Sequence, residues 1–172
     1  KLKRTIAMKI IHSQLLHSQN AVFRFVEEAQ VGAQLQHPNI VPIYESGELP
    51  DGRYYFTMKE IKGRELTDLI KGVHLNSEAK WMPSSDGTTF RQLIQIFHTI
   101  CETIAYAHSL GVIHRDLKPE NVMVGDFGEV LVVDWGIAKV LGSAYATEDL
   151  VETDRSINKL GATQMGQVAG TP

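Results

Sequence analysis

The strongest constraint on the fold of this chain is a pair of short apolar runs, at 122–124 and 130–133, joined by a connection at 125–129 that contains Gly and Asp. Two apolar runs around such a connection are typical of a β-hairpin. A turn centred on this connection places Asn121 opposite Asp134 at the open end of the hairpin.

The same hairpin separates two tripeptides, Asp-Phe-Gly at 126–128 and Asp-Trp-Gly at 134–136. Asp126 would lie at the closed tip, about 16 Å from Asn121 at roughly 3.3 Å per residue. A magnesium ion needs its oxygen ligands about 2.1 Å away, so the tip and the open end cannot share one ion. Asp126 is therefore predicted to be a turn residue, and Asp134 is the metal candidate.

Composition bounds the classes of protein to consider. With 172 residues, 43% apolar and 22% charged, the chain fits one soluble globular domain. A net charge of −3 without a long basic run argues against nucleic-acid binding. The single cysteine, Cys101, suits a reducing cytosol and a cytoplasmic location. No apolar run reaches the ~20 residues that span a bilayer, so we expect no membrane segment here.

Hydrophobic periodicity predicts an α+β chain. Helices are expected at 23–36 and 90–110, and Cys101 is expected in the core with the apolar face of the second helix. A proline-containing polar stretch at 71–89 and a Ser-, Thr- and Gly-rich stretch at 141–170 are predicted to be loops. Strands are expected at 4–11, 40–49 and 53–61.

Three motifs carry a family resemblance. The octet His-Arg-Asp-Leu-Lys-Pro-Glu-Asn at 114–121 matches the catalytic loop of protein kinases, and 134–136 stands where that family has Asp-Phe-Gly. Ile-Ala-Met-Lys at 6–9 resembles the family's Val-Ala-Ile-Lys. The chain thus resembles a bacterial member of the eukaryotic-type Ser/Thr kinases. The resemblance implies an incomplete two-lobe fold, with a partial small lobe at 1–62 and a partial large lobe at 63–172.

The resemblance also implies the chemistry, which uses ATP and Mg²⁺ to phosphorylate Ser and Thr hydroxyls of protein substrates. Asp116 would accept or orient the proton of the substrate hydroxyl, and Lys118 would reach the transferring phosphate. Asn121 and Asp134 would hold magnesium. Lys9 would contact the α- and β-phosphates.

Lys9 needs an anionic partner, and Glu27 and Glu28 compete for this role. Glu28 is favoured because its spacing to His-Pro-Asn at 37–39 resembles that of bacterial kinases. The other glutamate is expected to be a solvated helix charge.

The nucleotide base is expected where the strand at 53–61 leads into a hinge. Met58 would be the gatekeeper, the backbone of Lys59 and Ile61 would pair with adenine, and Glu65 would approach the ribose. Two further residues would sandwich the ring, Ala7 from above and Met123 from below.

Two residues close to Asp116 in the sequence have other implied roles. In the family, the arginine before the catalytic aspartate, here Arg115, pairs with a phosphorylated loop residue. Thr163 is favoured over Thr147, Thr153 and Ser156 as that residue, and Thr171 would contact Asp116 and Lys118. His114 is expected to be a buried structural histidine packed near Trp135.

The sequence departs from the family pattern in three ways. Trp135 stands where the family has Phe, which would affect how the segment after it packs but leaves Asp134 unchanged. The chain begins at the strand of Lys9 without a Gly-rich phosphate loop, and it ends before an Ala-Pro-Glu motif. We therefore expect a piece of a longer protein that is inactive alone. A homodimer and a membrane tether in the longer protein stay open, and a pseudokinase scaffold is the alternative function. A kinase of small molecules is a further alternative, which the octet at 114–121 and the Gly-Thr-Pro at 170–172 disfavour.

Overall fold

The computed structural model describes residues 3–76, 83–85, 87–136, 138–140 and 153–154 of the chain. The α+β class is confirmed. A three-stranded antiparallel sheet packs with one helix, and two more helices accompany two small sheets. Among the described helices, none has the length and apolar character needed to cross a membrane.

The elements follow one another in chain order. The helices are α1 (Gln19–Gln34), α2 (Leu66–Asn76) and α3 (Phe90–Ser109). The strands are β1 (Ile6–Ile10), β2 (Ile43–Glu48), β3 (Tyr54–Lys59), β4 (Arg64–Glu65), β5 (Val112–Ile113), β6 (Val122–Val124), β7 (Val130–Val132) and β8 (Lys139–Val140).

The first sheet has the strand order β1-β3-β2, and both pairings are antiparallel. Its register places Lys9 opposite Phe56 and Ala7 opposite Met58. Helix α1 packs against β2 and β3 and buries Val31 completely. The sheet and α1 thereby bring Lys9 and the acidic residues of α1 to the same region.

Helix α1 begins four residues before the predicted start. Ser18 is its N-cap, and the Ser18 hydroxyl accepts a hydrogen bond from the Ala21 amide at 3.3 Å. The cap satisfies an amide that the first turn leaves without a helical partner. The prediction missed this start because the apolar stripe that it followed begins only at Phe23.

The stretch at 71–89 is not the continuous loop predicted, because α2 extends to Asn76. Leu66, Leu69 and Val73 lie on one face of α2 and are at most 8% exposed. Their spacing is that of an amphipathic helix. The apolar stripe continues past Gly72 to Val73, so the helix extends into the stretch predicted to be a loop.

The prediction of α3 is confirmed, but its buried face differs from the expected one. Ile96, Ile100 and Ala107 face the core, whereas Phe97 is 63% exposed and Cys101 is exposed. Assigning Cys101 to the core was therefore wrong. Apolar residues surround much of this helix, so spacing alone does not select the stripe that is buried.

The hairpin formed by β6 and β7 is present, but its register is one residue from the predicted one. Val122 pairs with Val132, and the Val133 amide donates to Asn121 O at 3.0 Å. Asn121 therefore lies opposite Val133, one residue before Asp134. The cause is an odd-length loop at 126–128, in which Gly128 takes a positive φ of 84°.

The loop after α1 connects the first sheet to this hairpin. The Val132 amide donates to Asn39 O and the Asn39 side-chain amide donates to Val130 O, both at 2.8 Å. Ile40 also forms a parallel bridge with Val132. These contacts fix the sheet that carries Lys9 relative to the hairpin that carries Asn121.

We expect Asn39→Ala to lower the free energy of unfolding by about 1–2 kcal/mol, because it leaves a partly buried carbonyl of β7 without its donor. Asn39→Asp should cost more, since a carboxylate would face that carbonyl. Chemical denaturation measures both. Asn20→Ala, at an exposed position of α1, is the control and should not destabilise the protein. Equal stability of Asn39→Ala and the native protein would contradict this role.

Candidate active site

A cleft of about 430 Å³ lies between the first sheet, α1 and the β6–β7 hairpin. It brings together eight of the residues that the sequence assigned to a site. These are Lys9, Glu28, Met58, Ile61, Glu65, Asn121, Met123 and Asp134.

Lys9 and Glu28 form an ion pair on the wall of the cleft. The Lys9 Nζ atom lies 2.6 Å from Glu28 Oε1 and 2.8 Å from Oε2, so the ammonium group contacts both carboxylate oxygens. The Glu28 side chain is 13% exposed and that of Lys9 is 41% exposed. The pair thus fixes a partly exposed cation at the cleft, where an anionic ligand can reach it.

Burial raises the pKa of Glu28 above its ordinary value of 4.5. Lys9 opposes this shift through its charge and hydrogen bond, and the charge of Asp134 adds to it. A Cβ atom at Gly136 would lie 3.1 Å from Glu28 Oε2 and 3.2 Å from Asp134 Oδ1. Glycine at this position therefore leaves room for two carboxylates that repel each other.

A second group of polar side chains lies beside Asn121. Lys118 Nζ is 3.0 Å from Asp116 Oδ2. The Asn121 amide nitrogen donates to Asp116 O at 2.8 Å and to Asp116 Oδ2 at 3.2 Å. The cation and the amide together hold an ionised Asp116 in one orientation, next to the floor of the cleft.

Asn121 and Asp134 offer the oxygen atoms that suit Mg²⁺. The amide nitrogen of Asn121 is engaged with Asp116, which leaves its oxygen as the atom for an ion. The Asp134 side chain is exposed toward the cleft, and its φ of 61° is unusual for a residue other than glycine. Magnesium typically takes one or two protein ligands together with phosphates, and this sparse donor set fits that preference.

His114 connects the polar group to the strand that leads to Asp134. It is 2% exposed, and its ring lies 4.6 Å from that of Trp135. Its Nε2 atom is 3.0 Å from Val133 O, and its Nδ1 atom accepts from the Asp116 amide at 3.3 Å. These partners suit a neutral ring protonated on Nε2, and burial lowers the pKa of His114.

Among the described residues that the sequence assigned to a site, five do not line the cleft: Ala7, Lys59, Arg115, Asp116 and Lys118. Asp116 and Lys118 lie beside Asn121, which does line it. Ala7 pairs with Met58 across strands β1 and β3. The Lys59 amide donates to Pro42 O, and Lys59 lines a separate groove with His37.

Three regulatory residues had been assigned. Arg115, which takes a positive φ of 69°, lies beside Asp116. Thr163 and Thr171 lie outside the described residues, as do Thr147, Ser156 and nearly all of the predicted loop at 141–170.

The sequence predicted that the glutamate not bound by Lys9 would be a solvated helix charge. Glu27 is that residue, and it is buried. It is 9% exposed and accepts a hydrogen bond from the Thr153 hydroxyl at 3.4 Å. Thr153 itself is 1% exposed. This contact joins residues 126 positions apart, so no local pattern could have indicated it.

Part of the apolar lining of the cleft was not predicted from the sequence. Val41, Ile43, Phe56 and Val132 line the cleft. Alternation along β2 and β3 could have found Ile43 and Phe56, since their faces follow from the positions of Met58 and Lys9. Val41 lies in an irregular segment and gives no such signal.

Comparison with known proteins gives one family. The family model described as the protein kinase domain matches residues 1–156. The chain is 41% identical to the serine/threonine-protein kinase PknD of Protochlamydia amoebophila and 38% identical to that of Chlamydia pneumoniae, over 98% of its own length in both cases. It spans only 17% and 18% of the length of these relatives.

We expect Glu28→Gln to leave the free energy of unfolding at pH 7 unchanged or higher, because it removes a carboxylate that burial disfavours. A raised pKa stabilises the folded state at low pH, and that contribution is lost as pH rises above 4.5. The native protein should therefore lose stability relative to the variant over this range. Denaturation at several pH values measures this effect.

Glu48→Gln, at an exposed position, should leave the pH dependence of the free energy of unfolding unchanged. A clear loss of stability in Glu28→Gln at pH 7 would mean that the ion pair outweighs the cost of burial.

His114 makes stability depend on pH in the opposite direction to Glu28, because the pKa of His114 is lowered in the folded state. The unfolded chain takes up the proton first, so stability is present above about pH 6.5 and is lost as pH falls below it. The slope is at most about 1.4 kcal/mol per pH unit. Replacing His114 by Phe should remove this part of the pH dependence, whereas His17→Gln at an exposed site should not. An unchanged pH profile in the Phe variant would contradict a buried neutral imidazole.

Proposed function

Because this chain belongs to the protein kinase domain family, we propose that it carries the cleft and catalytic residues of an ATP- and magnesium-dependent kinase of protein Ser and Thr hydroxyls. The observation that carries the proposal is the convergence of two groups. The Lys9–Glu28 ion pair and Asp134 line the same cleft, and Asp116 is hydrogen-bonded to Asn121 on its floor.

In this proposal the catalytic base is Asp116. Its carboxylate is oriented by Lys118 and Asn121, and its side chain is 13% exposed, so a substrate hydroxyl can approach it. Asp116 would orient the hydroxyl and accept its proton as the hydroxyl oxygen bonds to the γ-phosphorus, while the bond from that phosphorus to the β,γ-bridging oxygen breaks and ADP leaves. Lys118 also lies close enough to neutralise charge on that group.

The nucleotide would bind along the wall of the cleft that the first sheet and α1 form. Lys9 neutralises phosphate oxygens while Glu28 fixes its position, and Met58, Ile61 and Met123 supply apolar surface for the base. The hinge joins a partial small lobe at 1–62 to a partial large lobe at 63–172. Glu65 would approach the ribose.

Magnesium would be held by Asn121 and Asp134 together with the phosphates. When bound, it neutralises charge on the phosphate chain. The roles of Asn121 and Asp134 are then to supply one amide and one carboxylate oxygen, while Asn121 also keeps Asp116 oriented.

The names of the two relatives support this proposal, since each is called a serine/threonine-protein kinase. We extend that activity to the longer protein, with proteins bearing Ser or Thr as substrates and the cytoplasm as its location. A homodimer and phosphorylation of Thr163 opposite Arg115 are further parts of the proposal.

Asp116→Asn in the full-length protein should abolish phosphate transfer, by at least about 10³-fold, because it removes the base. ATP affinity should stay within about twofold, since the amide is close in size and the nucleotide contacts are elsewhere. Transfer of radiolabelled phosphate to a Ser/Thr protein substrate, with and without Mg²⁺, measures the first effect.

Asp126→Asn is the matched control, because Asp126 lies at the hairpin tip and lines a different pocket. It should keep full activity. Magnesium-dependent transfer that survives Asp116→Asn would contradict the mechanism. Nucleotide binding by the native protein without any transfer would instead favour a pseudokinase scaffold.

A further inference from the structure

Trp135 directly follows the metal candidate Asp134 and occupies the position where the family has Phe. The Trp135 side chain is 5% exposed, and its indole Nε1 atom donates a hydrogen bond to the backbone carbonyl oxygen of Val132 at 3.4 Å. Phenylalanine has no donor and could not form this bond. The chain therefore carries, beside Asp134, a buried polar contact that the resemblance to the family does not imply.

The indole hydrogen bond closes a short stretch of chain around Asp134, whose φ is 61°. This left-handed conformation is disfavoured for a residue other than glycine, because its Cβ atom approaches the backbone. Such a residue keeps the conformation only where its surroundings hold it. The bond from Trp135 back to Val132 does so, because it fixes the two ends of the bend in which Asp134 lies.

The carboxylate of Asp134 is oriented at the same bend. The Gly136 amide donates to Asp134 Oδ1 at 3.4 Å, and Asp134 lines the cleft. The ring of Trp135 also packs against His114, with 4.6 Å between the ring centroids. Phenylalanine could make a ring contact with His114 as well, so the N–H group is what tryptophan adds at this position.

We infer that Trp135 is a positioning residue for Asp134, and that it acts through its indole N–H rather than through its aromatic bulk. The bond to Val132 O holds the bend that directs the Asp134 carboxylate into the cleft. The inference rests on the proposed function, because Asp134 is a magnesium ligand only in that proposal. It departs from the sequence-based expectation that Trp135 leaves Asp134 unchanged.

The test separates the N–H group from the bulk of the side chain. Replacement of Trp135 by benzothienylalanine puts a sulfur atom in place of the indole N–H and keeps the size of the ring system. Trp135→Phe removes the N–H and part of the ring. Both replacements are made in the full-length protein. If Trp135→Phe does not fold, the sulfur variant decides the inference, because it leaves no cavity.

Two quantities are measured, the first of them without any ligand. The backbone amides at 133–136 should exchange their hydrogens about threefold faster in the sulfur variant. In calorimetry, the affinity for ATP with magnesium should fall about fivefold, while the affinity for ATP in the presence of a chelator should stay within about twofold. The two affinities should separate because Asp134 would bind the metal ion and not the nucleotide.

Tyr106→Phe is the matched control. The Gln36 amide donates to the Tyr106 hydroxyl at 3.0 Å, so this variant also loses one hydrogen bond between an aromatic side chain and the backbone. Tyr106 does not line the cleft. The variant should therefore keep the native exchange at 133–136 and the native dependence of ATP affinity on magnesium.

Asp134→Asn tests whether the effect passes through the carboxylate. In this background the sulfur replacement should change the magnesium-dependent affinity by less than about twofold. The inference is overturned if the sulfur variant matches the native protein, if it loses affinity equally without metal, or if its full loss persists in the Asp134→Asn background. Faster exchange with an unchanged affinity for ATP and magnesium would also overturn it, since the bond would then be structural only.

None of these measurements requires turnover. A native protein that binds ATP with magnesium but transfers no phosphate would refute the proposed function. The exchange rates and the ratio of the two affinities would still decide the role of Trp135.

Discussion

The backbone contact between residues 39–40 and β7 determines how the two parts of this structure meet. The first sheet and α1 carry Lys9 and Glu28, and the hairpin carries Asn121 and leads to Asp134. Two hydrogen bonds of 2.8 Å and one parallel bridge connect them where Asn39 meets β7. Because both polar groups of the site stand on elements joined here, their separation is set by the main-chain contacts of residues 39–40 together with the Asn39 side chain.

The site also shows how function and stability compete. Glu28 is buried enough that its pKa rises, although Lys9 is in direct contact with it. A carboxylate in this position contributes little net stability, since desolvation offsets much of its attraction to the lysine. Its value lies in fixing a cation at the edge of the cleft. The glycine at 136 and the positive φ of Asp134 are further local costs in the same place.

Much of this site could be predicted from local patterns. The hairpin, the placement of Asp126 near its tip and of Asp134 in the cleft, and the helix at 90–110 all follow from periodicity and turn residues. The hairpin register was off by one, because the sequence does not reveal whether the loop has an odd or even length. The buried face of α3 was misjudged because its apolar residues do not form a single stripe.

The contacts that could not be predicted are those between distant segments. The spacing to His-Pro-Asn distinguished Glu28 from Glu27, but nothing nearby in the chain indicated that Glu27 is buried by Thr153. The hydrogen bonds that the side chain of Gln30 makes with Asp154 belong to the same class. Such pairs depend on tertiary packing, and a glutamine on a helix gives no sign of its partner.

The loop at the hairpin tip imposes a selective rule on natural variation and on engineering. Phe127 is 95% exposed, so the identity of the residue there is almost free. The pairing of the strands is not free. Since strand side chains alternate between faces, a slip of β7 by one residue against β6 would turn Val132 away from the core, whereas a residue added at the exposed tip leaves the pairs of β6 and β7 unchanged. The loop can therefore vary in composition and length as long as the two strands keep their register.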